Sequence, residues 1–504
     1  MKSLLLLSLF LITTGLFSQN ANTFDSKVPN DYYDFSLKLV KQTPGFTPPV
    51  AARAFGYTGL ALYESIVPGI LTHTSTQGII YGLTDVTLPD AGADYHWPTV
   101  ANNALATILD SLFRIMTPEN KFSLDSIRSA YNVEFENFLS PEDFFDSRSY
   151  GEAIARDIFE YSRTDGGHNG FASNFPADYV PPVGEDLWVP FGMQVCLQPY
   201  WGNNRPFIEA DTASTTISPP PPSFSTVPGS EFYEYANQVY TTGLNLTPEQ
   251  STIAFYWADG GGSITPAGHS ISMLTNVLED ENANLEEAVI SYAKLSIALS
   301  DAFLACWKTK YLYNLCRPVT YIRSHMDSTW LPLMGTPPFP EYPSGHSSQS
   351  GAMGTVMTSI FGPDYSFTDE THGPNFGGPR TFDSFNDAAQ EAAISRLYGG
   401  IHYEFGNNAG LNLGTIVGNN VNELFNQVNV ATDPVADIPS SLLMYPNPAM
   451  DMVYVKSDPA LIGSEYFLVD MYGKVLATGR INHEITSLSI GHYSAGMYLF
   501  RAGD

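Results

Sequence analysis

Cysteine is nearly missing from this chain: 504 residues hold three, Cys196, Cys306 and Cys316. That excludes a disulfide scaffold. Cys306 and Cys316 lie ten apart in what reads as one helix, roughly 15 Å of rise, too far to pair with each other. All three read as small core residues. Cations are scarce too, with 23 Lys+Arg against 52 Asp+Glu and a formal net charge of −29. So few leave no basic face for a nucleic-acid backbone or for anionic lipid, and both are excluded as partners. After the N-terminus, no apolar stretch of about 18 residues or more marks a membrane span. The 43% hydrophobic content is that of a globular protein, not of a disordered acidic chain. Any cluster of Lys and Arg in such a sequence needs an explanation.

The two ends read as addresses. Residues 1–18 have the pattern of a secretory signal peptide: Lys2, then an apolar run over 4–17, too short for a span. Near residue 430 the composition shifts. Residues 431–440 form a linker bearing Pro and Asp, and 441–504 read as a small β-sandwich module. Its alternating runs lie at 452–456, 465–471, 474–478 and 497–501, with turn signals at Tyr472-Gly473 and Ser494-Ala495-Gly496. Met444-Tyr445-Pro446-Asn447-Pro448-Ala449, Val469-Asp470-Met471-Tyr472-Gly473-Lys474 and Gly496-Met497-Tyr498-Leu499 resemble the C-terminal sorting domain of type IX secretion substrates. The resemblance implies handling by that secretion machinery and a secreted or cell-surface location.

Residues 25–430 follow a 3.6-residue period, which predicts a mainly α fold built as a helical-bundle core. Helices are expected over 98–113, 284–316, 347–361, 388–398 and 411–427. Ser140-Pro141-Glu142 and Thr247-Pro248-Glu249-Gln250 are helix starts, with a capping hydroxyl and Pro in the first turn.

Within this core, three separated segments point to one oxyanion. Lys310 and Arg317 are seven apart, close to two helical turns, which predicts one shared face with Trp307. Tyr342-Pro343-Ser344-Gly345-His346 precedes a helix of small residues, offering a hydroxyl, an unobstructed amide and an imidazole where the helix dipole favours an anion. Arg396 and His402 would fall on different faces of a continuous helix. Gly399-Gly400 between them can break it and turn His402 back. Three cations, two neutral donors and two histidines suit a tetrahedral oxyanion.

These segments read Lys, six residues, Arg-Pro; Pro-Ser-Gly-His; Ser-Arg, five residues, His. They resemble the signature shared by vanadium-dependent haloperoxidases and type 2 phosphatidic acid phosphatases. Trp257-Ala258-Asp259-Gly260, Thr265-Pro266, Gly268-His269, Ala51-Ala52-Arg53 and Tyr63-Glu64 are similar to the haloperoxidase branch. The resemblance implies vanadate as cofactor, with His402 as the metal ligand. Lys310, Arg317 and Arg396 would neutralise its oxygens, and Ser344 and Gly345 would donate to them. It makes His346 the acid–base residue, Lys310 the main polarising cation and Asp259 the support of His346. Hydrogen peroxide and halide are then the substrates and hypohalous acid the product. Trp307 and Phe339 resemble a halide pocket. The overall pattern looks most like the bacterial iodoperoxidases, which implies iodide as preferred halide and bromide next.

One position departs from the family pattern: an acidic residue often stands four after the ligand histidine, and here that place is Gly406. Glu404 is one candidate to take its part. Two other functions fit the same anion site. An acid phosphatase would use His402 as nucleophile and His346 as general acid, and a non-enzymatic oxyanion-binding protein would need no His346.

Overall fold

The computed structural model describes residues 20–429 apart from 213–215, and residues 443–502 with short gaps. The signal-peptide reading (1–18) and the linker reading (431–440) fall outside the described residues. The chain divides into two compact units, residues 1–430 and 431–504.

Among its described residues the first unit is built from thirteen α-helices: α1 Lys27–Gln42, α2 Pro48–Ile66, α3 Trp97–Leu112, α4 Pro118–Glu136, α5 Pro141–Ser162, α6 Glu231–Leu244, α7 Pro248–Tyr256, α8 Thr265–Asp280, α9 Leu285–Tyr313, α10 Pro318–His325, α11 Gly345–Phe361, α12 Phe385–Tyr398 and α13 Glu404–Val428. Local chemistry starts most of them. Thr117 and Ser140 cap α4 and α5, with Pro in the first turn. Thr247 with Gln250, and Asn284 with Glu287, form complete capping boxes at α7 and α9.

Helix α9 is the axis. Its 29 residues span about 43 Å, and nearly every position from Leu285 to Lys310 is buried. It is long and apolar enough to cross a membrane, yet 94% of its most apolar stretch is buried inside the protein, so it is a core helix. Helix α2 lies along it. A Cβ on Gly59 would stand 2.9 Å from Ser296 Cβ, so the glycine sets the close approach. On the far side α11 packs against α13, where a Cβ on Gly414 would meet Ser348 O at 2.0 Å. One core runs through both groups of helices.

Four boundaries differ from the sequence reading by two residues or more, each for a local reason; one is α12, which begins at Phe385 rather than 388 because Ser384 caps it. Helix α9 stops at Tyr313 because Asn314 turns left-handed (φ 47°), so Cys316 and Arg317 lie beyond it. Helix α11 begins at Gly345, two residues earlier than expected, because Ser344 caps it. Helix α13 begins at Glu404 rather than 411, directly after the turn that carries His402. The cysteines are free and buried.

Between α11 and α12, β1 (Phe367–Asp369) pairs antiparallel with β2 (Arg380–Phe382), in the register Phe367↔Phe382 and Asp369↔Arg380. In the second unit, β3 (Leu443–Tyr445), β4 (Met452–Lys456) and β7 (Ile485–Ser489) form one sheet in the order β3-β4-β7. β5 (Glu465–Asp470), β6 (Val475–Arg480) and β8 (Tyr498–Ala502) form another, ordered β6-β5-β8. Strands β3 and β7 were absent from the sequence reading. Val453, Val455 and Leu488 supply their small core.

Candidate active site

The site lies where the end of α9, the start of α11 and the turn between α12 and α13 converge. Helix α12 ends at Tyr398, and Gly399 and Gly400 break it as expected. Gly400 has φ +74°, and a Cβ there would meet Pro332 Cβ at 2.9 Å, so both the turn and the space require glycine. Ile401 N donates back to Arg396 O, and the next residue, His402, faces Arg317.

Arg317 stands at the start of α10 rather than continuing the Lys310 helix, so the two cations converge by a change of direction and not by helical period. Its Nε donates to Phe339 O (3.0 Å), and its Nη1 to Ile401 O (2.7 Å) and His402 Nε2 (3.0 Å). Arg396 Nη1 donates to Trp257 O (2.9 Å) and His346 Nε2 (2.8 Å). Both guanidiniums are buried, which lowers each to about 10, so both stay charged at neutral pH. Arg317 Nη2 and Arg396 Nε are buried with no hydrogen-bond partner. Leaving such donors unpaired costs about 1–3 kcal/mol each, a cost that an acceptor bound to them would remove. Ser344 Oγ accepts from Ser347 N and Ser347 Oγ; its own O–H is engaged in neither bond.

Lys310 differs from expectation. Its Nζ donates to the carbonyls of Pro340 and Glu341 at 3.0 and 2.9 Å and to that of Pro343. All three ammonium donors are therefore committed to backbone, and the residue ties α9 to the 340–343 loop. Burial, with Arg317 adding, lowers it to about 7. It also sits 5.1 Å from the Phe339 ring centroid. Trp307 and Phe339 face each other, ring centroids 5.0 Å apart.

Glu341 is the site residue that sequence reasoning missed. Its Oε1 accepts from His402 Nδ1 (2.7 Å) and Tyr403 N (3.1 Å), and its side chain is fully buried. With Nδ1 donating to Glu341, His402 Nε2 is left as the acceptor of Arg317. Burial foremost, then Arg317, Lys310 and Arg396, hold His402 well below the usual imidazole range. It is a neutral imidazole with its lone pair turned into the cage, the form that ligates a metal. Glu404, one candidate for that part, instead accepts from Gln238 Nε2 (3.1 Å). The signal for Glu341 was weak: an acid three before Ser344, with nothing in its spacing to His402.

Burial and Arg396 likewise push His346 well below its ordinary value, against a pull upward from Asp259 and the Ala258 backbone. It is a neutral base, not a group titrating near neutrality. Asp259 does not pair with it. Its Oδ2 accepts from His269 Nδ1 (2.8 Å) and its Oδ1 from His372 Nε2 (3.0 Å), while Asp369 Oδ2 accepts from His269 Nε2 (2.7 Å). Bonded to a carboxylate at each nitrogen, His269 carries both protons. Burial opposes that charge, but the two carboxylates outweigh it and hold the ring at about 10. Ligand atoms of Asp259, His269 and His372 also lie within 4.8 Å of one another, an arrangement that this buried imidazolium accounts for. His269 stacks on Trp257 at 4.7 Å, and Trp257 O holds Arg396, so the cluster braces the cage from behind. Arg53 and Glu64 serve the frame: Arg53 pairs with Asp165 (2.6 Å), and Glu64 accepts from Thr76 N.

Two cavities meet here. A small one of about 40 Å3 is lined by Trp307, Phe339, Gly345, His346 and His402. A larger one, about 810 Å3, shares Phe339, His346 and Ile401 with it and runs outward past Arg396, Met334, Asp259 and Phe175.

Residues 291–430 match the VCPO second helical-bundle domain. Residues 443–504 match the secretion system C-terminal sorting domain, which directs type IX secretion to the cell surface or the extracellular space. The vanadium chloroperoxidase of Curvularia inaequalis is 27% identical over 227 residues, 32% of this chain and 37% of that protein. The vanadium-dependent bromoperoxidase of Ascophyllum nodosum is 36% identical over 96 residues, 16% of this chain and 17% of that one. The chain thus spans well under half the length of the curated relatives it matches. A crystal structure of a bacterial vanadium-dependent iodoperoxidase is similar at TM-score 0.71 and 33% identity, over 80% of this chain and 96% of that chain. Likeness on that scale, around a caged neutral histidine with unpaired guanidinium donors, makes the chain a member of the vanadium-dependent haloperoxidase family.

Proposed function

We propose that the protein is a vanadate-dependent peroxidase that oxidises halide, iodide in preference, with hydrogen peroxide to hypohalous acid. The observation that carries this reading is the His402 Nε2 lone pair, fixed by Glu341 at Nδ1 and set among Arg317, Arg396 and the start of α11. The unpaired Arg317 Nη2 and Arg396 Nε fit an oxyanion there. His402 would hold vanadate, with Arg317, Arg396, Ser344 and the Gly345 amide on its oxygens. Lys310 would add charge from behind the 340–343 loop. When bound, vanadate supplies Lewis-acid activation of peroxide without needing a redox cofactor.

The protein's own groups do the rest. His346, held neutral by burial and Arg396, takes the proton from incoming peroxide. Trp307 and Phe339 give halide an apolar, dehydrated approach beside the cage. The 33% identity with an iodoperoxidase supports iodide, with bromide next. Asp259 acts through the His269 cluster on the Trp257 segment rather than on His346 directly.

The test is a halide panel with peroxide, run on metal-free protein with and without orthovanadate. Triiodide should form only with vanadate, and His402→Ala should abolish it. Turnover that ignores vanadate would overturn the proposal. Faster hydrolysis of p-nitrophenyl phosphate by the vanadate-free protein than by His402→Ala would favour a phosphatase.

A further inference from the structure

Met334 stands on the wall of the large cavity, half-buried, beside His346 and Arg396. Its Sδ accepts from Arg396 Nη2 at 3.1 Å. Its amide donates to Gly399 O at 3.1 Å, which pins the residue to the turn that carries His402. A Cβ on Gly399 would come within 2.7 Å of Sδ, so the sulfur is pressed close to that turn. A thioether is readily oxidised to its sulfoxide by two-electron oxidants without a catalyst. Here one is hydrogen-bonded to a guanidinium of the proposed reaction centre.

We propose that Met334 is a modification site, the first methionine converted to its sulfoxide during turnover, by hypohalous acid formed in the adjoining cage. This rests on the peroxidase reading above. The step balances: the sulfur lone pair attacks the hypohalous acid, the oxygen stays on sulfur, halide departs with two electrons, and the proton is released. Sulfur is oxidised and the halogen reduced. The S=O oxygen is a stronger acceptor than the thioether it replaces and reaches further. It holds Arg396 away from the anion, so each modified molecule binds vanadate more weakly.

Other described methionines set the control. Met273, Met353 and Met357 are buried, Met116 and Met326 are half-buried, and Met452 and Met193 are exposed, Met193 fully. An oxidant acting from bulk solvent meets Met193 first, and one formed in the cage meets Met334 first.

The experiment is peptide mass spectrometry of the full chain loaded with orthovanadate, sampled through turnover of iodide and peroxide, with triiodide followed alongside. A parallel sample receives hypoiodite from solution. Sulfoxide at Met334 at least about fivefold ahead of Met193 under turnover, with the order reversed in bulk oxidant, is expected. Oxidised protein should then show weaker vanadate binding on titration, and Met334→Leu should lose activity more slowly per turnover. Triiodide formation with Met193 oxidised first would overturn this inference and leave the peroxidase reading standing. No triiodide at all would overturn both.

Discussion

A Cβ on Gly406 would lie 2.3 Å from Glu341 Oε1, so the glycine vacates the volume that the Glu341 carboxylate fills. The family-like pattern leads one to look for an acid at position 406, one turn into the helix after His402. The acid arrives instead from the loop before α11, and Gly406 is the space it needs. Its Oε1 binds both His402 Nδ1 and Tyr403 N, fixing the ring and the backbone that carries it. Burial pushes this carboxyl up to about 7, against Lys310 and Arg317 pulling it down.

Glu341 should therefore govern cofactor affinity. Outer partners of a ligating histidine are worth about 10–100-fold in metal affinity. Glu341→Gln keeps an oxygen for Nδ1 and should weaken vanadate binding about 10-fold, and Glu341→Ala about 100-fold. Titration of the metal-free protein with orthovanadate measures both. Unchanged affinity in Glu341→Ala would mean that His402 is oriented by something else.

The partnership with Gly406 gives an opposite-sign test. Gly406→Asp restores an acid by sequence, but overlaps Glu341 and should lower stability by about 1–3 kcal/mol, the range for overpacking. Combined with Glu341→Ala, the same substitution has room and a free Nδ1 to meet. The double variant should bind vanadate more tightly than Glu341→Ala alone, by about threefold or more. The non-additivity of this cycle is the readout; strictly additive losses would refute the exchange.

The bundle and the starts of α3, α5, α7 and α9 were legible in the sequence because they rest on local rules. Helical period, capping hydroxyls and the Gly399-Gly400 break all act over a few positions. What was not legible came from contacts between distant segments. Asn314 adopting a left-handed turn separated Arg317 from the Lys310 helix, so the face-sharing argument failed although both residues reached the site. Asp259 lines the large cavity beside His346, but its partners, His269 and His372, come from α8 and the loop after β1. Nothing in local spacing announces that a carboxylate will choose those two imidazoles over His346. Glu341 was invisible for the same reason.

The state of His346 sets the acid side of the pH profile. Burial and Arg396 hold it well below 6.5, so the basic form it needs persists as pH falls through that value. The limb of the kcat/KM profile for peroxide that depends on His346 should lie at more acid pH than 6.5. His346→Ala should cut kcat by about 10²–10⁴, the usual worth of general-base catalysis, while vanadate affinity changes only a few-fold. An acid limb centred near pH 6.5 that vanishes in His346→Ala would contradict the assignment.

The ionised cluster behind the cage should show itself in stability rather than turnover. His269 is held at about 10 in the folded protein by Asp259 and Asp369 despite its burial, against about 6.5 unfolded. A raised folded value contributes stability in full below pH 6.5, and that contribution is lost as pH rises through about 10. The loss can reach about 1.4 kcal/mol per pH unit for one proton. His269→Gln removes the charge between two buried carboxylates, which at pH 6 should cost about 3–5 kcal/mol. Because the wild-type advantage fades with pH, the gap between the two proteins should narrow steadily from pH 7 to 10. Denaturant melts of the metal-free chain at several pH values measure it. A gap that stays constant over that range would mean His269 is neutral, and the cluster only a set of ordinary hydrogen bonds.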